Sequence, residues 1–205
     1  MNETSLNFEI LAEDNIRTLK VPAVSFEKPL CIILVGIPCS GKTLLTEKLA
    51  EKFPLTTLAE EDMMAFLAPR ATIFRRGSLE IFQLATKTIE HLVRAGKACI
   101  YDANVKTREA RQLLKTVVEG AGGTCLLIYL NCPKETCYKR LQKHNVEVTR
   151  GEARGFILDK DFFEYEVASS RMPAADEHHL TYNGESLEEA SLIFSAVESR
   201  LKQSN

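Results

Sequence analysis

The stretch CIILVGIPCSGKT, residues 31–43, decides the fold of this chain. It begins with a run of strand-forming residues, 31–35, and continues as GIPCSGKT, which has the spacing G-x-x-x-x-G-K-T. The segment that follows, LLTEKLAEKF at 44–53, has apolar residues at helical spacing. A loop of this spacing between a strand and a helix is typical of phosphate-binding loops. The sequence therefore predicts nucleotide phosphate binding at residues 36–43.

The chemistry of this loop follows from where its donors point. Glycines at 36 and 41 let the backbone bend so that successive N–H groups line an anion-sized concavity, and the following helix adds the positive end of its dipole. Lys42 is expected to reach the β- and γ-phosphates as a catalytic cation, and the Thr43 hydroxyl to hold Mg²⁺. The predicted nucleotide-binding residues are Gly36, Pro38, Cys39, Ser40, Gly41, Lys42, Thr43 and Leu44.

Length and composition restrict the class of protein. A chain of 205 residues suits one domain, and 26 basic against 28 acidic residues give no global field for nucleic acid or membrane. The six cysteines show no paired C-x-x-C spacing with histidines, so we interpret them as reduced packing residues. The polar N-terminus does not resemble a secretory signal, and the apolar runs are too short to span a membrane. We therefore expect a cytoplasmic protein with no membrane partner.

Strand-like and helical segments alternate along the chain. The strand-like segments are continuous apolar runs, which indicates that both faces of the sheet are covered. We therefore predict an α/β fold with a doubly wound, parallel sheet of five strands over residues 29–205. Residues 1–28, with a short amphipathic helix at 7–19, are expected to be an extension packed on this domain. Helices are also expected at 63–67 and 134–144, whereas residues 145–174 show no clear periodicity.

One acidic residue closes the third predicted strand, at the edge of the sheet where ligands of parallel α/β folds bind. Asp102 ends the segment ACIYD, and from there its carboxylate can hold Mg²⁺ together with Thr43 or orient the acceptor. Asn104 follows in the same turn. We therefore assign Thr43 and Asp102 to the metal, and Asp102 and Asn104 to the acceptor side.

A cluster of three acids, Glu60 to Asp62, follows the second predicted strand. A carboxylate at this position can accept the proton of an attacking hydroxyl. Glu61 and Asp62 are both candidates for the catalytic base. Counting from Lys42 favours Asp62, but spacing alone does not decide between the two.

Arginines in two segments are candidates for binding phosphate. Phosphoryl transfer needs cations on the developing charge, and a segment with glycines and arginines suits a lid that closes over ATP and excludes water. We predict such a lid at about 143–172, with Arg150 and Arg154 as its catalytic cations. Arg75 and Arg76, in the loop APRATIFRRGS, are assigned to the acceptor side.

Five segments in order resemble the P-loop kinases related to polynucleotide 5′-kinase and zeta toxin, a small AAA-type kinase family. The resemblance spans about residues 30–195 and rests on GIPCSGKT, EED, IYDAN, TREARQLL and LIYLNCPKETCYKRL. It implies a strand order of 2-3-1-4-5, a carboxylate base after the second strand and a lid arginine. It also implies that Asn183 and Gly184 lie near the adenine of ATP. Pairing the acids with the motif of this family favours Glu61 as the base.

Two departures from the family pattern bear on the substrate. Polynucleotide kinases usually carry an arginine just after the acidic pair, where this chain has Met64. His144, four residues after Arg140, stands where the family often places its lid arginine. The sequence offers Arg150 as a replacement for the lid arginine, or Arg75 and Arg76 from the other side of the site. Met64 makes a nucleic acid acceptor less favoured.

These observations favour a kinase that transfers the γ-phosphoryl group of ATP, with Mg²⁺, to a hydroxyl acceptor. The acceptor classes are a small molecule, a nucleotide sugar or the 5′-hydroxyl of a nucleic acid. The alternative is an ATP-binding regulatory protein that hydrolyses slowly or not at all. A GTPase switch is disfavoured because no N-K-x-D guanine motif follows the fourth strand.

Overall fold

The computed structural model describes residues 6–70, 77–152, 157–183 and 191–203. Its centre is a five-stranded sheet of order β2-β3-β1-β4-β5, in which every neighbouring pair is parallel. The strands are β1 (Leu30–Val35), β2 (Thr56–Ala59), β3 (Cys99–Asp102), β4 (Thr124–Leu130) and β5 (His179–Tyr182). The helices are α1 (Phe8–Thr18), α2 (Lys42–Lys52), α3 (Glu60–Leu67), α4 (Gly77–Arg94), α5 (Arg108–Gly120), α6 (Lys134–Thr149), α7 (Lys160–Ser169) and α8 (Ser191–Gln203). The predicted α/β class and strand order are confirmed.

Both faces of the sheet are covered by helices. All six residues of the central strand β1 are buried. Because side chains alternate along a strand, Cys31, Ile33 and Val35 pack into a core that includes α1, α3, α4 and α5. Leu30, Ile32 and Leu34 pack on the other face with α2 and α8. The apolar runs in the sequence therefore reflect burial on both faces.

The helix predicted near the N-terminus is confirmed, and it packs on α4. Asn7 caps α1 by accepting from the backbone N–H groups of Glu9 and Ile10. The Glu9 carboxylate then pairs with Lys87 at 2.6 Å and with His91 at 2.8 Å. These contacts, with Leu11 and Ala12 buried beneath them, fix α1 on the core of the domain.

Three helix boundaries differ from the sequence expectation. α3 begins at Glu60 rather than at 63, because three acidic residues in its first turn suit the positive end of the helix dipole. α6 continues to Thr149, five residues past the predicted end at 144. α7 lies inside the segment without clear periodicity, and its N-cap is Asp159, which accepts from the Phe162 N–H at 2.7 Å.

The chain that returns from α7 to β5 is tied to α5 by a buried ion pair. The Arg111 guanidinium, 3% exposed, donates to both carboxylate oxygens of Glu177 at 2.7 and 2.8 Å. It also donates to the carbonyl oxygens of Val105 and Arg171. Its hydrogen bond lowers the pKa of Glu177 to about 2. The segment that follows α7 is therefore held firmly at the carboxyl edge of the sheet.

The six cysteines are free thiols, four of them buried and two, Cys39 and Cys125, partly exposed. Within the described ranges, no helix has the length and apolar character that crossing a membrane requires.

Candidate active site

The predicted phosphate-binding loop lies between β1 and α2, at the carboxyl edge of the sheet. A Cβ atom at Gly36 would lie 2.6 Å from the Ser40 hydroxyl, so the tight turn requires glycine there. Gly41 has a φ of +103°, which favours glycine, and Cys39 has a φ of +61°, which is uncommon for a residue with a side chain. Such strained backbone is concentrated at ligand-binding loops. The strained positions of the backbone therefore lie within the predicted phosphate-binding loop.

Lys42 points back over this loop. Its ammonium donates to the carbonyl oxygens of Gly36 at 2.8 Å and Ile37 at 3.1 Å. Burial lowers the pKa of Lys42, and the negative charges of Asp102 and Glu60 oppose that effect. A cation held inside the concavity beside two carboxylates is suited to meet the charge of a polyphosphate.

Asp102 ends β3 next to the loop. Its side chain is 8% exposed, and it is hydrogen-bonded to the Thr43 hydroxyl. Burial raises the pKa of Asp102, while the Thr43 hydrogen bond and the charge of Lys42 act in the opposite direction. The structure thus brings together the two residues that the sequence assigns to Mg²⁺. Both offer oxygen atoms, the ligands that Mg²⁺ prefers.

Glu60, which the sequence does not single out as the base, interacts with Lys42, as Asp102 does. It follows Ala59, which pairs with Asp102 across the sheet. Burial raises the pKa of Glu60, and the charges of Lys106 and Lys42 and the backbone N–H of Asn104 partly offset this. The sequence signal that could have identified Glu60 is its position as the first acid after the second strand.

Glu61 and Asp62 are exposed on the first turn of α3. Asp62 is nevertheless near the site, because its charge contributes to raising the pKa of Asp102. It also lines a cavity at the end of α1. The choice of base among these three acids stays a prediction.

Asn104 connects the loop to α7. Its side-chain oxygen accepts from the Gly36 N–H at 3.4 Å, and its amide donates to the Ser170 hydroxyl at 2.8 Å. Beside it, Lys106 forms an ion pair with Glu166, which is 8% exposed. The end of α7 is thus joined to the turn after β3 by two side-chain contacts. Part of the predicted lid, residues 143–172, therefore lies directly against the site.

Arg140, which the sequence does not assign to the site, lies nearer to the phosphate loop than the predicted Arg150. Arg140 donates to the carbonyl oxygen of Cys39 in the loop at 3.4 Å and contacts the Cys132 sulfur. Arg150 is exposed at the end of α6, about 15 Å further along the helix at 1.5 Å per residue. In this conformation Arg140, rather than Arg150, adjoins the phosphate loop. Arg75, Arg76 and Arg154 lie outside the described residues.

Three further residues that the sequence assigns to the nucleotide or its metal also have described positions. Leu44 is half exposed at the start of α2, and Thr43 is also exposed. Asn183 is exposed directly after β5, at the same edge of the sheet as the loop. Its predicted position near the adenine stays a prediction, and Gly184 lies outside the described residues. Among the residues with described positions, no group of three or more His, Cys, Asp or Glu could hold a metal ion.

The chain belongs to the AAA domain family, whose model matches residues 31–155. This match and the observed strand order confirm the resemblance to small P-loop kinases in family and fold. The matched region begins at β1 and therefore leaves α1 outside it. A comparison with curated proteins gives no significant match.

Solved structures share the fold at low sequence identity. APE1195 has a TM-score of 0.68 at 22% identity, with 87% of this chain and 99% of that chain covered. Kti12 from Chaetomium thermophilum, in complex with ADP-AlF3, has a TM-score of 0.64 at 13% identity, with 83% and 98% covered. A sugar kinase from Janibacter sp. HTCC2649 has a TM-score of 0.60 at 14% identity, with 85% and 95% covered. These similarities show that the chain has the fold of the P-loop kinases.

Proposed function

We propose that this protein is a kinase that transfers the γ-phosphoryl group of ATP to a hydroxyl group of a small molecule. One observation carries the proposal: two carboxylates lie at the carboxyl ends of the neighbouring strands β2 and β3 and interact with Lys42 of the phosphate loop. They are the half-buried Glu60 and the buried Asp102. A loop that only anchors a nucleotide does not need a carboxylate for the acceptor. Phosphoryl transfer to a hydroxyl uses both a phosphate-binding loop and a carboxylate at the acceptor.

The loop and Thr43 supply the nucleotide side of this reaction. Backbone N–H groups of the loop and the Lys42 ammonium bind the phosphates of ATP and stabilise the charge that develops during transfer. Thr43 and Asp102 offer oxygen ligands to Mg²⁺, which usually takes only one or two ligands from the protein. When bound, Mg²⁺ neutralises charge on the phosphate oxygens.

Glu60 is the acid that we assign to the acceptor hydroxyl. Burial raises the pKa of Glu60, which brings it nearer to that of an effective general base, and the Asn104 N–H donates to its carboxylate. Asp62 and Glu61 are the alternatives that spacing and family pattern favour, respectively. Their exposure leaves both more solvated and less directed towards Lys42 than Glu60.

A small-molecule acceptor is favoured over a nucleic acid. Met64 occupies the position of the family's acceptor-binding arginine and is 38% exposed, so it offers no charge to a nucleic acid phosphate. The sugar kinase among the similar structures has a small-molecule substrate class in its name. A nucleotide sugar remains within the proposal, whereas a nucleic acid 5′-hydroxyl is disfavoured.

Arg140 is the cation that we assign to the transferring phosphoryl group in the present conformation. It already contacts the loop through Cys39. Arg150 would act only if the end of α6 moved towards the loop, because Arg150 lies about three helical turns beyond Arg140. Replacing Arg140 and Arg150 separately by lysine would identify which one supports turnover.

We place the protein in the cytoplasm. Its six cysteines are free, including one in the phosphate loop, and reduced thiols are typical of a reducing compartment. Fractionation of cells that express the tagged full chain, followed by immunoblotting, tests this location.

The kinase proposal is tested by a screen of hydroxyl acceptors with γ-labelled ATP and Mg²⁺. We expect label to appear in at least one acceptor with the wild-type chain and to disappear with Lys42→Met. Chelation of Mg²⁺ should also stop the transfer. Undiminished transfer without divalent metal would contradict the proposed role of Thr43 and Asp102.

The second candidate, an ATP-binding regulatory protein, is favoured by one observation. Two positions where the family carries arginines hold Met64 and His144 instead. A variant with Glu60→Gln, Glu61→Gln and Asp62→Asn separates the two functions. A kinase loses turnover and keeps ATP binding, whereas a regulator keeps both ATP binding and any slow hydrolysis.

A further inference from the structure

The turn after β3 connects three parts of the proposed site. The backbone N–H of Asn104 donates to the Glu60 carboxylate at the start of α3. The Asn104 side chain accepts from the Gly36 N–H of the phosphate loop at 3.4 Å and donates to the Ser170 hydroxyl at 2.8 Å. Two residues after Asn104, the side chain of Lys106 reaches α7. This turn therefore lies between the phosphate loop, the proposed base and α7.

Lys106 contacts the α7 region through its side chain and its backbone. Its ammonium donates to the Glu166 carboxylate at 2.5 Å and lies 5.8 Å from the centroid of the Tyr165 ring. Its carbonyl oxygen accepts from the Arg171 N–H at 2.8 Å. The side chains of Lys106 and Glu166 are 30% and 11% exposed. Three contacts thus fix the position of a cation in a partly buried place, where solvent screens its charge less than at the surface.

The charges of Lys106 and Glu166 act on Glu60 in opposite directions. Burial raises the pKa of the Glu60 carboxyl, and the positive charge of Lys106 lowers it more than that of Lys42 does. The negative charge of Glu166 raises the pKa of Glu60. Lys106 therefore favours the ionised form of Glu60, which is the form that can accept a proton.

The charged and titratable groups that act on Glu60 belong to four different elements. They are Lys42 of α2, Tyr101 of β3, Lys106 of the turn after β3 and Glu166 of α7. Lys42 is assigned to the phosphates of ATP. Burial raises the pKa of Tyr101, so its hydroxyl is uncharged at neutral pH. Lys106 and Glu166 are thus the pair through which α7 affects the charge of the proposed base.

We infer that Lys106 is a positioning residue of the acceptor site, which acts through Glu60 and links this carboxylate to α7 through Glu166. The inference rests on the proposed kinase function, in which the Glu60 carboxylate accepts the proton of the acceptor hydroxyl. Lys106 and Glu166 form and break no bond in the transfer. Their contribution is to set the charge of Glu60 when α7 lies against the turn.

NMR titration of the Glu60 carboxyl tests this inference without turnover. The full chain is labelled with ¹³C at the side-chain carboxyl of glutamate, and the Glu60 signal is the one that Glu60→Gln removes. We expect the titration midpoint of Glu60 to rise in Lys106→Met, because the charge that favours the carboxylate is lost. It should fall in Glu166→Gln, because the opposing negative charge is lost. Lys106→Arg keeps the charge and should stay close to wild type.

The exposed pair of Lys134 and Glu164 provides the matched control. These side chains, 44% and 42% exposed, join the start of α6 to α7 at 2.5 Å. Lys134→Met removes an ion pair with α7 and should leave the midpoint of Glu60 unchanged. If Lys106 only attached α7 to the turn, Lys106→Met and Glu166→Gln would break the same contact and would shift the midpoint in the same direction.

The pH dependence of turnover tests the role of Lys106 in the reaction. With an acceptor found by the screen, Lys106→Met should move the acidic limb of kcat/KM to higher pH. On that limb we expect kcat/KM to fall by about threefold or more, because the lost charge is partly buried. At higher pH the variant should approach wild type, and its affinity for ATP should be unchanged. Glu166→Gln should move the same limb to lower pH.

The outcomes separate this inference from the proposed function. Midpoint shifts in the same direction, or no shift in Lys106→Met, overturn the inference whether or not the protein is a kinase. Opposite shifts with an unchanged rate profile overturn the role of Lys106 in the reaction and leave the kinase intact. Opposite shifts without transfer to any acceptor support the link between Glu60 and α7 and contradict the kinase.

Discussion

The phosphate loop and the proposed acceptor side of this molecule are built in opposite ways. The loop consists of consecutive residues, 36–43, whose backbone supplies most of its binding groups. The acceptor side is assembled from the ends of separate elements: Glu60 from α3, Asp102 from β3, Asn104 and Lys106 from the following turn, and Glu166 from α7. A site made of contiguous backbone tolerates changes in distant parts of the chain. A site made of distant side chains depends on the tertiary contacts that bring them together.

The buried pair of Arg111 and Glu177 offers the strongest test of this difference. Arg111→Ala leaves the Glu177 carboxylate, whose side chain is 11% exposed, without its partner, so we expect the free energy of unfolding to fall by about 3–5 kcal/mol. Urea unfolding followed by circular dichroism measures this change. At temperatures where the variant is still folded, acceptor turnover should suffer more than ATP binding.

Arg108→Ala is the matched control on the same helix. Its pair with Asp176 is exposed on both sides, so the loss should be about 0–1 kcal/mol. Equal losses for the two variants would show that burial of the Arg111 pair contributes nothing to stability.

Lys42→Met tests the loop itself. Removal of the cation that stabilises developing charge should lower kcat by about 10²–10³-fold, measured by transfer of labelled phosphate. Lys48→Met, further along α2 in a pair with Glu51 at 3.1 Å, should stay close to wild type. A similar loss in both variants would mean that α2 contributes through its overall charge rather than through Lys42.

Glu60→Gln sharpens the comparison on the acceptor side. We expect kcat to fall by about 100-fold with little change in the affinity for ATP, because the lost group contacts the acceptor. The pKa of Glu60 is raised by burial, so the acidic limb of the wild-type rate profile should lie above the range of an ordinary glutamate. Glu61→Gln, one residue later and exposed, is the control. A larger effect from Glu61→Gln or from Asp62→Asn would transfer the role of base to that residue.

The pair of Arg111 and Glu177 also affects stability in acid. Arg111 lowers the pKa of Glu177 to about 2 in the folded protein, below the unfolded value of about 4.3. The stabilisation from this group is therefore complete above the unfolded pKa and is lost as the pH falls towards 2. Urea midpoints should show that Glu177→Gln differs most from wild type above about pH 5 and progressively less in acid. A difference that is independent of pH would exclude ionisation of Glu177 as its cause.

Prediction from the sequence succeeds where neighbours in the chain are also neighbours in space. The loop spacing at residues 36–43 and the amphipathic helix predicted at 7–19 are of this local kind. The buried strands are recognisable too, because their apolar runs record burial on both faces. The helix α7 is harder to recognise, since its packing residue Phe163 is buried against α6 and the loop rather than within a regular apolar stripe. Its cap at Asp159 is the local signal that was available.

The sequence by itself determined the parallel α/β fold, the phosphate loop and the presence of acids at the ends of two strands. These features depend on local spacing, backbone freedom and the burial of apolar runs. Only the tertiary structure decided that Glu60 interacts with Lys42, that Arg140 rather than Arg150 adjoins the loop, and that α1 closes a cavity beside Asp62. The reason is physical: electrostatic interactions and cavities depend on distances between side chains, and these distances are fixed by packing between elements far apart in the chain.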